Sequence, residues 1–122
     1  MLNEVRAYLT GAPFANWARG ADAFAASELL APTDRKSYLR ALLYPARFMT
    51  SFMTGTMASN EAAVARLDAF APPGLDVDLI RRALDCRRAA SDPDALFPAR
   101  MLLRRQVAAV AQFVAESEAE GP

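Results

Sequence analysis

Residues 34–55 read DRKSYLRALLYPARFMTSFMTG. Leu39, Leu42, Leu43, Ala46, Met49 and Met53 recur at spacings of three and four, and Tyr38, Leu42, Pro45, Phe48 and Phe52 form a second stripe beside them. A helix with one apolar stripe lies on a core, whereas a helix apolar over most of its circumference has to be surrounded. The spacing therefore predicts a helix from Asp34 to Met53 that is the most buried element of the fold. Pro45 falls inside it, lacks a backbone N–H and crowds the carbonyl four residues back, so a kink or a split into two helices is expected there. Gly55 suits the left-handed conformation that closes a helix.

Working outward, Ala31-Pro32 breaks the chain and Thr33 or Asp34 supplies an N-cap for the central helix. Upstream, Phe14, Trp17, Ala21, Phe24 and Glu28 mark one face of a helix over about 14–30, with the aromatics turned to the core. A short helix over residues 3–10, capped by Asn3 and stopped by Gly11-Ala12-Pro13, precedes it. Downstream, Ser59 caps a helix over 60–70 that ends at Pro72-Pro73-Gly74. Asp76 or Asp78 caps the next, whose inner face is Leu79, Ile80, Ala83, Leu84 and Arg87. A last helix, from Asp94 or Ala99 to Ser117, packs Leu103, Val107, Val110 and Val114, and residues 116–122 are acidic and frayed. With no internal repeat and no long linker, residues 1–122 read as one all-α domain: an antiparallel bundle of about five to six helices around a kinked, largely buried central one.

Composition agrees and narrows the chemistry. The chain has 122 residues, of which 53% are apolar and 27 are Ala, which favours helices and close helix packing. Fourteen basic and fourteen acidic residues cancel, so no global charge favours nucleic acid or an anionic membrane. There is no His, which excludes imidazole as base or metal ligand, and one Cys, Cys86, which reads as a small packed residue. The first ten residues, MLNEVRAYLT, hold no signal-like apolar run and no stretch of eighteen apolar residues occurs, so the expectation is a cytoplasmic protein without a membrane span.

Three charged features bear on function. Asp76-Val77-Asp78 could in principle hold Mg²⁺ between carboxylates, but its place before a helical pattern fits capping. Seven Arg against three Asp lie between residues 81 and 105. Arg81, Asp85 and Arg88 suit a salt-bridged helix face, while the functional version has Arg81, Arg82, Arg88, Arg104 and Arg105 converging on a phosphate or an acidic partner. Arg40 and Arg47, two turns apart on the central helix, each need either a carboxylate such as Asp22, Glu28 or Asp34, or a cleft where an anion binds.

The stretch YLRALLYPARFMTSFMTGTMASNEAAVARL, residues 38–67, followed by an Arg-rich helix and a final amphipathic one, resembles the C-terminal helical domain of streptomycin/spectinomycin adenylyltransferases, with the likeness running over about 38–114. Its core is Ala46-Arg47, Thr54-Gly55, Ala58 and Ser59-Asn60. In that family the domain packs on a nucleotidyltransferase domain and holds ATP and the aminoglycoside between the two. The resemblance implies that Arg47 meets the nucleotide phosphates with Arg40 beside it, and that Asp34 serves the substrate. The chain departs from the family at Asn60, where a Lys is usual, and at Thr33 and Ser37, where acidic residues are. The catalytic Gly-Ser and Asp-x-Asp signature has no counterpart here. The resemblance therefore implies a non-catalytic domain, inactive alone, with no cofactor of its own, that takes Mg and ATP when a separate catalytic chain completes it. The competing reading is a helical interaction protein, a homodimer through an Ala- and Met-rich face, with no ligand site.

Overall fold

The computed structural model describes residues 11–56, 58–91 and 93–119. These form five α-helices, α1 (Ala12–Ala26), α2 (Arg35–Thr54), α3 (Asn60–Ala69), α4 (Val77–Arg88) and α5 (Leu102–Ala119), with 3-10 turns at Pro32–Asp34 and Pro93–Ala99. Among the described residues there is no strand. The helix expected over 3–10 lies outside them.

Helix α2 is the axle of the bundle and packs against all four other helices. Both of its predicted stripes are buried from Tyr38 to Phe52, and Met53 alone among them is exposed. The helix runs through Pro45 as one continuous element, so the split into two helices does not occur. Pro45 has no N–H for the carbonyl of Ala41, and the indole Nε1–H of Trp17 donates to that oxygen instead, at 3.0 Å in a buried setting. The Trp17 ring also stacks on Tyr44 at 4.7 Å between centroids. From there aromatic contacts continue through Phe14, Phe48, Phe52 and Phe113 to Phe70, each step within 6.0 Å. A second group joins Phe24, Tyr38 and Phe97, with both centroid distances 5.2 Å.

The helix ends follow local chemistry with some exceptions. Ser59 accepts from the Ala62 N–H at 3.1 Å, Asp76 from the Leu79 N–H at 3.0 Å, and Gly55 closes α2 at φ +76°. Asp34 occupies the N-cap of α2 but makes no side-chain capping bond: ending the 3-10 turn, with its N–H on the Ala31 carbonyl at 2.9 Å, it holds φ −103° and ψ 2° instead of the extended backbone from which a cap side chain reaches back. Helix α1 stops at Ala26, short of the expected 30. Ser27 turns its hydroxyl back to the Ala23 carbonyl at 2.8 Å, and its own carbonyl is taken by Arg100 Nε at 2.6 Å, so a tertiary contact ends the helix. That leaves Leu29 outside it, 84% exposed. At the far end α5 stays helical to Ala119, where fraying from 116 was expected, and Gln112 Nε2 donates to Glu116 Oε1 at 3.0 Å within it.

Three polar side chains are buried among the described residues, Thr50 and Ser51 on α2 and Gln106 on α5. Gln106 on α5 is fully buried, and its Oε1 accepts the Asp76 N–H at 3.3 Å, which ties α5 to the start of α4. Just before that point Gly74 adopts φ +94°, and a Cβ there would meet the Ala109 Cβ at 3.0 Å. The turn thus accepts glycine on grounds of both conformation and space.

Trp17→Phe is expected to cost about 2 kcal/mol by leaving the Ala41 carbonyl buried and unpaired. In a Pro45→Ala background the restored N–H re-pairs that carbonyl, and the same change should cost about 1 kcal/mol less. Urea unfolding of the four-member cycle measures this, and additivity would show that the indole bond is not replacing the missing amide.

Tyr38 yields a pH dependence. Its hydroxyl donates to the Leu96 carbonyl at 2.8 Å, and burial pushes its pKa from 10.0 up to about 12, with the charge of Arg100 pulling the other way. Below pH 10 both folded and unfolded states hold the proton. Between about pH 10 and 12 the unfolded state releases it first, so stability falls with rising pH across that window. Tyr38→Phe should lose about 1 kcal/mol at neutral pH and show a flatter alkaline decline, measured as urea midpoints at a series of pH values.

Candidate functional site

Because α2 is buried on most sides, three of its four charged side chains fall on one narrow strip. At 100° per residue Lys36, Arg40 and Arg47 fall within about 40° of one another, and all three are exposed. The strip's N-terminal end forms one wall of a cleft of about 550 Å³, which Arg35, Lys36, Leu39 and Arg40 line. The opposite wall is the end of α4 and the turn after it: Cys86, Arg87, Ala90, Ser91 and Pro93.

The geometry of that second wall comes from how α4 terminates. Ala90 sits at φ +52°, the left-handed position where glycine is usual. Its N–H donates to the Arg87 carbonyl at 3.2 Å, and the Ser91 N–H donates to the Cys86 carbonyl at 3.0 Å. The Cys86 thiol, 9% exposed, donates to the Ser91 carbonyl at 3.1 Å, and the Ser91 hydroxyl lies 3.4 Å from Sγ. Backbone and side-chain bonds therefore lock the turn in place and satisfy the last carbonyls of α4.

The cleft is strongly cationic. Four basic side chains line it and, among the described residues, no carboxylate does. Arg35 is held by Asp94 at 3.4 Å. Lys36, Arg40 and Arg87 have no ion-pair partner among the described residues.

Arg40 thus lines the cleft, but the other residues singled out in the sequence do not. Arg47 is exposed two turns further along α2, about 10 Å away in axial rise, and Asp34 is exposed at the helix start; neither belongs to the lining. Of the two alternatives for Arg40 and Arg47, the internal ion pair is not formed among the described residues. Both lie on the exposed strip, where no desolvation forces pairing, and Asp22 is engaged by Arg104 at 2.6 Å. Four of the seven arginines of residues 81–105, Arg81, Arg82, Arg100 and Arg104, go to separate partners. Arg81 pairs with Asp68 of α3 rather than with Asp85, Arg82 with Asp78 at 3.1 Å, and Arg100 lies over the Phe97 ring at 4.7 Å. Asp76 caps α4, as its position suggests, while Asp78 pairs with Arg82.

Arg35, Lys36, Arg87, Cys86 and Ser91 join Arg40 in the lining without being marked as site residues by the sequence. The repeat of basic residues at 36, 40 and 47 was the available signal. Arg87, expected on the inner face of its helix, is exposed, and Cys86 takes that place. No helix among the described residues is long and apolar enough to cross a membrane. No family model matches the chain, and neither a curated protein nor a solved structure matches it.

Left-handed backbone costs an L-residue with a Cβ about 1 kcal/mol or more. Ala90→Gly should therefore stabilise the fold by about 0.5–1 kcal/mol after allowing for glycine's greater unfolded entropy. A rise of a few degrees in Tm by differential scanning calorimetry is the expected result.

Proposed function

We propose that this chain is a non-catalytic helical module whose α2–α4 cleft binds an anionic group. In the form suggested by its resemblance to the streptomycin/spectinomycin adenylyltransferases, it is the nucleotide- and substrate-side domain of a nucleotidyltransferase-like system. The observation that carries the reading is the convergence of Arg35, Lys36, Arg40 and Arg87 from two helices on one cleft whose described lining has no carboxylate. Guanidinium forks match phosphate or carboxylate oxygens in pairs, and a low-dielectric cleft lined by one sign of charge raises the local concentration of the opposite sign.

Under the resemblance, a separate catalytic chain would present Mg-ATP. Seated along the exposed strip of α2, it would place its nucleotide between the cleft, with Arg40, and Arg47 further along, while Asp34 at the start of the helix would serve the cationic groups of the aminoglycoside. The competing reading, a dimerising bundle without a ligand, draws on Met53 and Met101, which are 41% and 54% exposed. It requires a Tm that rises with protein concentration and is indifferent to anions.

Thermal-shift titrations with Mg-ATP, pyrophosphate, streptomycin and spectinomycin separate the two. A ligand at about a hundred times its Kd adds roughly 2.7 kcal/mol, a shift of several degrees for a domain of this size. The expected outcome is a shift with the phosphate ligands that Arg40→Ala and Arg87→Ala abolish. A shift lost only in Arg47→Ala would move the site along the helix, and no shift with any ligand would overturn the proposal.

A further inference from the structure

We infer that the cleft takes a ligand whose charge is carried by two or more linked anionic groups, a diphosphate or longer phosphate chain bridging α2 and α4, and that it does so without reading the organic remainder. The inference rests on the cleft being an anion site and deepens that reading by naming what distinguishes its ligand.

The first ground is charge. Once Arg35 is assigned to Asp94, Lys36 and Arg40 remain on one wall and Arg87 on the other. A phosphate monoester carries about −1.5 to −2 charges near neutrality, fewer than these three cations supply. A second linked phosphate closes the difference. The helix dipoles do not alter the balance: the positive end of α2 and the negative end of α4 both border the cleft and roughly offset each other, at about half a charge apiece.

The second ground is size and arrangement. A cleft of about 550 Å³ falls in the range that holds small molecules. At about 30 Å³ per water in the liquid, one phosphate would leave most of that space filled with solvent, which screens the cations of the far wall. Two tethered groups engage both walls, and the second binds at the high effective concentration that the linkage provides.

The third ground is what the lining lacks. Between the cations the walls are Leu39, Ala90 and Pro93, with Cys86 and Ser91 engaged with each other. Among the described lining there is no aromatic ring to stack on a base and no Asn or Gln to read a base edge. Discrimination falls to the number and spacing of charges, and the organic part of a nucleotide projects through the open side.

Isothermal titration calorimetry at fixed ionic strength tests this with phosphate, pyrophosphate, tripolyphosphate, ADP, GDP and CDP. Pyrophosphate is expected to bind at least about tenfold more tightly than phosphate, with the three nucleotides within about threefold of pyrophosphate and of one another. Arg40→Gln and Arg87→Gln should each weaken pyrophosphate about tenfold, towards the affinity of phosphate, whereas Arg105→Gln on α5 should not. Circular dichroism checks that each variant is folded. Equal binding of phosphate and pyrophosphate would overturn the inference and leave the anion cleft standing. ADP far tighter than GDP and pyrophosphate would overturn it by showing that the base is read. Failure of every anion to bind would sink the underlying reading as well.

Discussion

One backbone oxygen, that of Ala41, sets the terms for the rest of the bundle. A proline in the middle of a surface helix leaves a carbonyl that water can satisfy. In a helix enclosed on most sides that remedy is absent, and an unpaired buried carbonyl costs as much as a lost hydrogen bond. The donor has to come from a neighbouring helix, and Trp17 supplies it. Because an indole N–H points in one direction, this bond fixes both the rotation and the position of α1 along α2. Further along, Asp22 pairs with Arg104 on α5 and Arg100, just before α5, donates to the Ser27 carbonyl at the end of α1, so that α1 is joined to α5 as well as to α2.

The same enclosure shapes the surface. With twelve of its residues buried, α2 gathers Lys36, Arg40 and Arg47 on one narrow strip, with Arg35 beside its start. Helix α4 packs against α2 and stops beside the beginning of that strip, and the locked turn from Ala90 to Ser91 leaves a gap instead of filling it. The cleft is a consequence of where α4 ends, and its charge is a consequence of how thoroughly α2 is covered. This is why a chain of zero formal net charge presents a strongly basic local surface.

Those features that depend on neighbours in sequence could be read directly. The two stripes of α2, the caps at Ser59 and Asp76 and the left-handed Gly55 all arise within a few residues of themselves. Features decided across the fold could not. Nothing near Trp17 indicates that its partner is a carbonyl 24 positions away, and nothing near Gln106 indicates that it is buried to hold an amide 30 positions back. Arg81 had a plausible carboxylate on its own helix at Asp85 and found a different one on α3. The candidate site was half visible for the same reason. Arg40 followed from its place on a buried helix, whereas Arg87 became relevant once α4 was known to end against α2, and Ala90 gives no sequence sign that it adopts the conformation usually left to glycine.

The joint between α1 and α2 also gives the molecule a built-in optical reporter. The chain contains a single tryptophan, and that residue is the one bonded to Ala41 and stacked on Tyr44. Its emission therefore comes from one place, free of overlapping indole signals. The wavelength of fluorescence excited selectively at tryptophan would register the seating of α1 specifically, while far-ultraviolet circular dichroism registers helix content throughout. Comparing the two along an unfolding curve would distinguish a bundle that comes apart as a unit from one that releases α1 first.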